Sequence, residues 1–85
     1  MYYVYIIESI SDGSFYKGST ENYIRRLYQH NNGESQFTSS KMPWKLVFVR
    51  SFETKKDALI EEKRLKRTNK IYLQWLIRQP VNILK

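Results

Sequence analysis

Tyr2 to Glu8 places apolar side chains at both alternating positions, the pattern of a strand covered on both faces. Ser11-Asp12-Gly13 is a turn signal and Phe15 to Ser19 reads as the returning strand, so the chain opens on a hairpin. Asn22 caps an expected helix from Tyr23 to about His30, which Asn31-Asn32-Gly33 ends. At about 100° per residue, Tyr23, Ile24, Leu27 and Tyr28 should form its buried stripe. A polar loop over 34–43, closed by Pro43, leads to a third strand, Trp44 to Phe52. Leu46, Phe48 and Phe52 are expected on one of its faces, and Val47 and Val49 on the other. Thr54, three residues before Asp57, resembles a capping box for a helix from Lys55 to about Arg67. Thr68 or Asn69 would cap the next helix, Lys70 to Gln79, whose Ile71, Leu73, Trp75, Leu76 and Ile77 supply apolar surface before Pro80 stops it. The expected fold is α/β (α+β): a small three-stranded antiparallel sheet flanked by helices, in the order β-β-α-β-α-α. With no repeat or linker, residues 1–85 are expected to form a single domain. The tail, Val81 to Lys85, should either fold back onto the core or form a dimer contact.

Composition narrows what such a fold can be. There is no cysteine and a single histidine, so disulfides and a structural zinc site of the usual Cys/His kind are excluded. The apolar N-terminal stretch has no basic residues before it and Glu8 directly after it, which reads as a buried strand and not a signal peptide. A soluble, cytoplasmic protein is expected. Fifteen Lys and Arg against eight Asp and Glu give a net charge of +7, and 15% of residues are aromatic. A small, basic, tyrosine-rich chain points to a polyanionic partner, above all nucleic acid.

Several residues converge once faces are assigned. Tyr3, Tyr5 and Ile7 share one face of the first strand, as do Tyr16 and Gly18 on the second. A hairpin centred near Ser11-Asp12 sets Tyr5 opposite Gly18 and diagonal to Tyr16, within reach of tyrosine side chains. Arg26 and His30, four apart, stack along one edge of the first helix near Tyr23. Arg26 offers a permanently charged fork for a phosphate, and His30 can move a proton near neutral pH. Glu62 shares a helical face with Ala58 and Leu65, which sets a carboxylate in an apolar stripe, with Glu61 further round. Such a carboxylate needs a partner, either Arg26 as an ion pair or a divalent cation. Seven basic residues between Lys55 and Lys70 suggest a surface that grips a phosphate backbone.

Taken together, Tyr3-Val4-Tyr5, ten residues, Tyr16-Lys17-Gly18, seven residues, Arg26, three residues, His30 and later Glu62 resemble the GIY-YIG nuclease family. The likeness covers residues 2 to about 66, with the helix and tail over 70–85 beyond it, and is greatest to small stand-alone bacterial members. It implies a three-stranded sheet flanked by helices and metal-assisted hydrolysis of DNA phosphodiesters. By position, the resemblance makes Tyr5, Tyr16, Arg26, His30 and Glu62 the catalytic set. In that scheme Tyr16 is the general base, Arg26 stabilises phosphoryl charge, and Glu62 holds one Mg²⁺ or Mn²⁺ ion. A free phenol is about one part in a thousand ionised at pH 7, so neighbouring charge must depress its pKa or the proton must pass through His30. The expected DNA contacts are Lys17, Arg25, Lys63, Arg64, Lys66 and Arg67. Tyr3 and Val4 stand where the first motif has Gly and Ile, and Lys17 where the second has Ile; no functional side chain is lost. Ser19 stands where some members, the excision-repair nuclease subunit among them, have a lysine near the catalytic tyrosine. Some members also carry an asparagine downstream of the glutamate, a role not carried over to Asn69.

The expected activity is therefore a divalent-metal-dependent DNA endonuclease acting in repair or recombination, or on branched or damaged DNA. The competing expectation is a nucleic-acid-binding module that keeps the fold without effective catalysis. A third reading is a purely structural domain with an Arg26–Glu62 pair. The chain is expected to work as a monomer or weak homodimer, with any sequence specificity supplied by a partner protein.

Overall fold

The strand Tyr2–Ser9 (β1) is apolar on both faces because it is the middle strand of a sheet covered on both sides. In the computed structural model, which describes residues 1–84, it pairs antiparallel with Phe15–Thr20 (β2) on one side and Trp44–Phe52 (β3) on the other. Helices Tyr23–Asn31 (α1), Lys55–Lys66 (α2) and Lys70–Ile77 (α3) complete the order β-β-α-β-α-α. A single 3₁₀ turn, Ser39–Lys41, interrupts the loop before β3. None of the helices is long and apolar enough to cross a membrane, among the described residues.

The β1–β2 turn forms where the sequence places it. Ser9 Oγ accepts from the amides of Ser11 and Asp12, and Gly13 takes the positive φ of 77° that closes the turn. The resulting register sets Tyr5 opposite Gly18 and Ile7 opposite Tyr16. The helices start on capping side chains. Asn22 accepts from the Arg25 amide, Thr54 from Asp57 and Asn69 from Tyr72, so Asn69 is the cap of α3. That helix ends two residues before the expected Gln79.

Two apolar layers cover the sheet. On the α2/α3 side, Val4, Ile6 and Phe48 pack with Ala58, Leu65, Leu73 and Leu76. On the α1 side, Tyr5, Ile7, Trp44 and Val49 pack with Tyr3, Tyr16, Tyr23, Leu27 and Leu46. Two sequence expectations fail here. A bulge in the β1–β3 pairing, where Ile6 faces Phe48 and Ile7 faces Leu46, breaks strict alternation in β3. Leu46 therefore joins Val49 on the α1 side, and Val47 joins Phe48 and Phe52 on the other. The buried stripe of α1 is also rotated: Ile24 and Tyr28 are 64% and 67% exposed, while His30 is wholly buried.

The tail folds back, up to the last described residue. Asn82 is buried, donating to the carbonyls of Val47 and Ile77 and accepting from the Val49 amide, while Ile83 donates to the Val49 carbonyl. This covers the outer edge of β3, which would otherwise offer unpaired backbone groups. Lys85 lies outside the described residues.

Candidate active site

The candidate site lies at the free edge of β2, where one glycine lets a central-strand tyrosine lie across the sheet. A Cβ on Gly18 would stand 2.5 Å from the Tyr5 hydroxyl, so the ring occupies the space a side chain there would take. The sheet order makes this possible: β1 supplies the tyrosine, and β2, the edge strand, supplies the gap. The Tyr5 hydroxyl lies 2.8 Å from His30 Nε2, and His30 Nδ1 lies 2.7 Å from Thr38 Oγ1. A neutral imidazole donates at one nitrogen and accepts at the other, and each hydroxyl can take the complementary role. Trp44 holds the far end of this chain, its indole N–H donating to the Thr38 carbonyl, while Asn31 clamps the Trp44 backbone at both N–H and C=O.

Burial sets the protonation of this chain. It pushes the Tyr5 phenol up to about 12, although the Arg26 guanidinium works in the opposite direction. Burial, aided by the charge of Arg26, pushes His30 down to about 4. At neutral pH the chain is therefore an uncharged phenol on an uncharged imidazole. Tyr16 packs its ring against the edge of His30, with centroids 5.1 Å apart, and is only half-buried. Both ring nitrogens of His30 are engaged by Tyr5 and Thr38, so the imidazole touches Tyr16 by packing and not through a nitrogen.

Glu62 reaches the same edge from the α2 side. Its Oε1 accepts from the Ser19 hydroxyl at 2.5 Å, and its Oε2 lies 2.7 Å from Lys66 Nζ. Burial works to raise the carboxyl, but the bonds from Lys66 and Ser19 win, and its pKa lies below the ordinary carboxylate value. The charges of Glu62 and Arg26 both act on Tyr5, which ties the two sides of the sheet into one electrostatic cluster.

The structure thus brings together Tyr5, Tyr16, Arg26, His30 and Glu62, from β1, β2, α1 and α2. It corrects two details. Glu61 is the more buried carboxylate of α2, not a residue further round: it is held by Arg64 in two bonds of 2.7 Å and by Arg50 at 3.6 Å. The partner of Glu62 is Lys66, and Arg26 instead donates to Gln29, so no Arg26–Glu62 pair forms among the described residues. Arg64, expected on DNA, bonds Glu61 and the Tyr72 hydroxyl in the free protein and is exposed. Lys66, also expected on DNA, pairs with Glu62 in the free protein, its side chain half exposed. Of the other expected contacts, Arg25, Lys63 and Arg67 are exposed, and Lys17 is half-buried, its pKa lowered by burial and by the nearby Lys66. Sequence reasoning missed Thr38 as a partner of His30 and Ser19 as a partner of Glu62. Thr38 lies in a loop whose path no periodicity reveals, whereas Ser19 follows Gly18 directly and was within reach of a register argument.

Residues 1–73 match the GIY-YIG catalytic domain. The chain belongs to the GIY-YIG family of nucleases. A UPF0213 protein of Streptococcus pneumoniae is 39% identical over 66 residues, a match covering 76% of this chain and 66% of that protein, so the chain spans about two thirds of that relative. A UPF0213 protein of Bacillus licheniformis is 40% identical over 73 residues, covering 81% of this chain and 74% of the relative. The solution NMR structure of a UPF0213 protein from Bacillus halodurans is similar in fold, with a TM-score of 0.60 at 31% identity, covering 95% of this chain and 87% of that one. A nuclease domain of this family implies a DNA substrate, and such nucleases generally depend on a divalent metal.

Proposed function

We propose that this chain is a divalent-metal-dependent DNA endonuclease acting from a single domain over residues 1–85. The observation that carries this reading is the meeting of Tyr16, Arg26 and Glu62 with Tyr5, which lies over Gly18: two phenols, one guanidinium and one carboxylate drawn from four elements. An inert core needs no such cluster at a sheet edge.

The donor set fits a cation held jointly with substrate. Glu62 presents one carboxylate whose Oε2 already faces a positive charge, that of Lys66. No group of three or more His, Cys, Asp or Glu is placed to cage a metal among the described residues. One carboxylate completed by water and phosphate oxygens is a set that Mg²⁺ accepts. Glu62 would be the protein ligand, and the ion, when bound, would supply Lewis-acid polarisation of the phosphoryl oxygens.

The protein's own groups then have distinct tasks. Tyr16 is the phenol that reaches solvent and takes the proton of the attacking water, since Tyr5 is buried and its pKa is raised. Arg26, half-buried beside Tyr5, offsets the charge developing on the phosphoryl oxygens. Tyr5, seated over Gly18 and bonded to His30, keeps that guanidinium and the Tyr16 ring in register. Arg25, Lys17, Lys63, Arg64, Lys66 and Arg67 grip the backbone without reading sequence. Branched or damaged DNA is the expected preference, in a repair or recombination role.

The test is incubation with supercoiled plasmid and with branched and single-stranded DNA, in Mg²⁺, Mn²⁺ or EDTA, with Glu62→Ala and Tyr16→Phe run alongside. Metal-dependent nicking should fall by at least about a hundredfold in both variants, while DNA binding persists. Salt-sensitive binding without cleavage by the wild type would instead favour a nucleic-acid-binding module, and equal cleavage by wild type and Glu62→Ala would sink the site.

A further inference from the structure

Both oxygens of the Glu62 carboxylate are occupied. Ser19 donates to Oε1 at 2.5 Å and Lys66 Nζ lies 2.7 Å from Oε2. Helical geometry brings the two charges together, since Lys66 is four residues beyond Glu62 on α2. The partners differ in freedom: the Lys66 side chain is 50% exposed and that of Glu62 only 17%. The ammonium can swing into solvent on its flexible stem while the carboxylate stays pinned by Ser19. Lys66 also acts electrostatically on Tyr16 and on Lys17, so its charge sits within the cluster and not on an outer helix face.

We infer that Lys66 is the resting counter-ion of Glu62 and gates cation loading: the divalent ion takes its place only after Lys66 lets go, and an incoming DNA phosphate is the group that receives the ammonium. The inference rests on the reading of Glu62 as the cation-binding residue. A half-buried carboxylate left alone would carry an uncompensated charge, so some cation must sit there when no metal does. Lys66 fills that need without leaving the chain. A divalent ion approaching the free protein meets a neutralised carboxylate and a repelling ammonium, which weakens its binding. A phosphate removes that obstacle by offering Lys66 a partner elsewhere. By linkage, DNA then strengthens cation binding and the cation strengthens DNA binding by the same factor. The hydrolytic centre is thereby assembled on substrate, and the free protein is kept largely unloaded.

The discriminating experiment is Mn²⁺ binding to the purified full chain without DNA, followed by the loss of free Mn²⁺ signal in electron paramagnetic resonance. Lys66→Met and Lys66→Gln should bind Mn²⁺ roughly tenfold more tightly than the wild type, two substitutions guarding against a folding defect in either. Lys63→Met removes the same charge from an exposed position next to Glu62 and should change affinity by less than about twofold. Adding a short duplex should tighten Mn²⁺ binding more in the wild type than in Lys66→Met. Equal affinities for wild type and both Lys66 variants, with Glu62→Gln weakened, would overturn the gate while leaving the cation site standing. Unchanged binding in Glu62→Gln would overturn the assignment of Glu62 itself, and the gate with it.

Discussion

The two faces of the sheet are built from neighbouring residues of one strand, yet they obey different rules. Val4 and Ile6 point into a layer of apolar side chains with Phe48, Leu65, Leu73 and Leu76. Tyr5 and Ile7 point into an aromatic layer where a phenol, an imidazole and a hydroxyl are joined end to end. Apolar packing is non-directional, so the first layer can hold α2 and α3 with any side chains of suitable volume. The second has no such tolerance, because each buried polar atom must meet its partner or lose its solvation uncompensated. No buried side-chain polar atom lacks a partner among the described residues. Stability is thus concentrated on one face and geometry on the other, and substitutions should separate them.

The largest effect should come from the purely apolar face. Phe48 is fully buried at the centre of that layer. Phe48→Ala should cost about 3–5 kcal/mol, a large part of the stability of so short a chain. Urea titration measures it. Nicking by whatever fraction stays folded at low temperature should keep its metal dependence, and loss of metal dependence at full folding would break the division between the faces.

Acid should act through the other face. His30 is wholly buried, and its pKa is about 4 against an ordinary 6.5. Between those values the unfolded chain carries a proton that the folded one lacks, so stability rises with pH across that window and falls on acidification through it. The full contribution is about 3 kcal/mol, complete above pH 6.5 and gone below 4. Glu61 and Glu62, whose pKa values are lowered by Arg64, Lys66 and Ser19, add a separate loss only below their ordinary carboxylate range. Urea midpoints measured between pH 4.5 and 6.5 should therefore slope in the wild type and in Phe48→Ala, and flatten in His30→Gln. A slope that survives in His30→Gln would remove histidine as its source.

The same division explains what the sequence alone reveals. The central strand, the hairpin register that seats Tyr5 over Gly18, and the caps at Asn22 and Thr54 follow from local rules and are present, whereas the choice of Asn69 over Thr68 needed the structure. The errors lie where tertiary partners decide. Ala58, Glu61, Glu62 and Leu65 fall within one arc of α2, and spacing cannot say which glutamate turns inward; Arg50, across the turn on β3, faces Glu61 at 3.6 Å. Hydrophobicity alone turns Ile24 and Tyr28 of α1 to the core, whereas two hydrogen bonds to a buried imidazole rotate the helix the other way. The β3 bulge leaves no mark in an apolar run, because either face accepts Leu46 or Val47.

A smaller substitution tests the polar chain itself. Tyr5→Phe keeps the ring over Gly18 but removes the hydroxyl, leaving one nitrogen of His30 buried without a partner. The expected cost is about 1–2 kcal/mol by urea titration. Nicking should fall by more than that loss of folded protein explains, because the ring no longer anchors the cluster. Thr38→Val removes the opposite partner of the same imidazole and should cost a similar amount. A large loss in one variant and none in the other would show that the imidazole bonds only one hydroxyl.

The least effect should come from an ion pair that belongs to neither layer. Glu8 and Lys45 are directly opposed across β1 and β3, 3.7 Å apart, with side chains 30% and 59% exposed. Glu61 and Arg64 are the same kind of pair at 2.7 Å, with the carboxylate only 10% exposed. Solvent screens the first, and side-chain ordering offsets most of what attraction remains, so Lys45→Ala should change stability by no more than about 0.5 kcal/mol and lose even that in high salt. Glu61→Gln removes the carboxylate, itself only 10% exposed, that Arg50 and Arg64 share at 38% and 45% exposure, and should cost clearly more. Were the two substitutions to cost the same at low and high salt, burial would not be what distinguishes the pairs, and the contrast between the rim of the sheet and its covered faces would fail for charges even where it holds for apolar side chains.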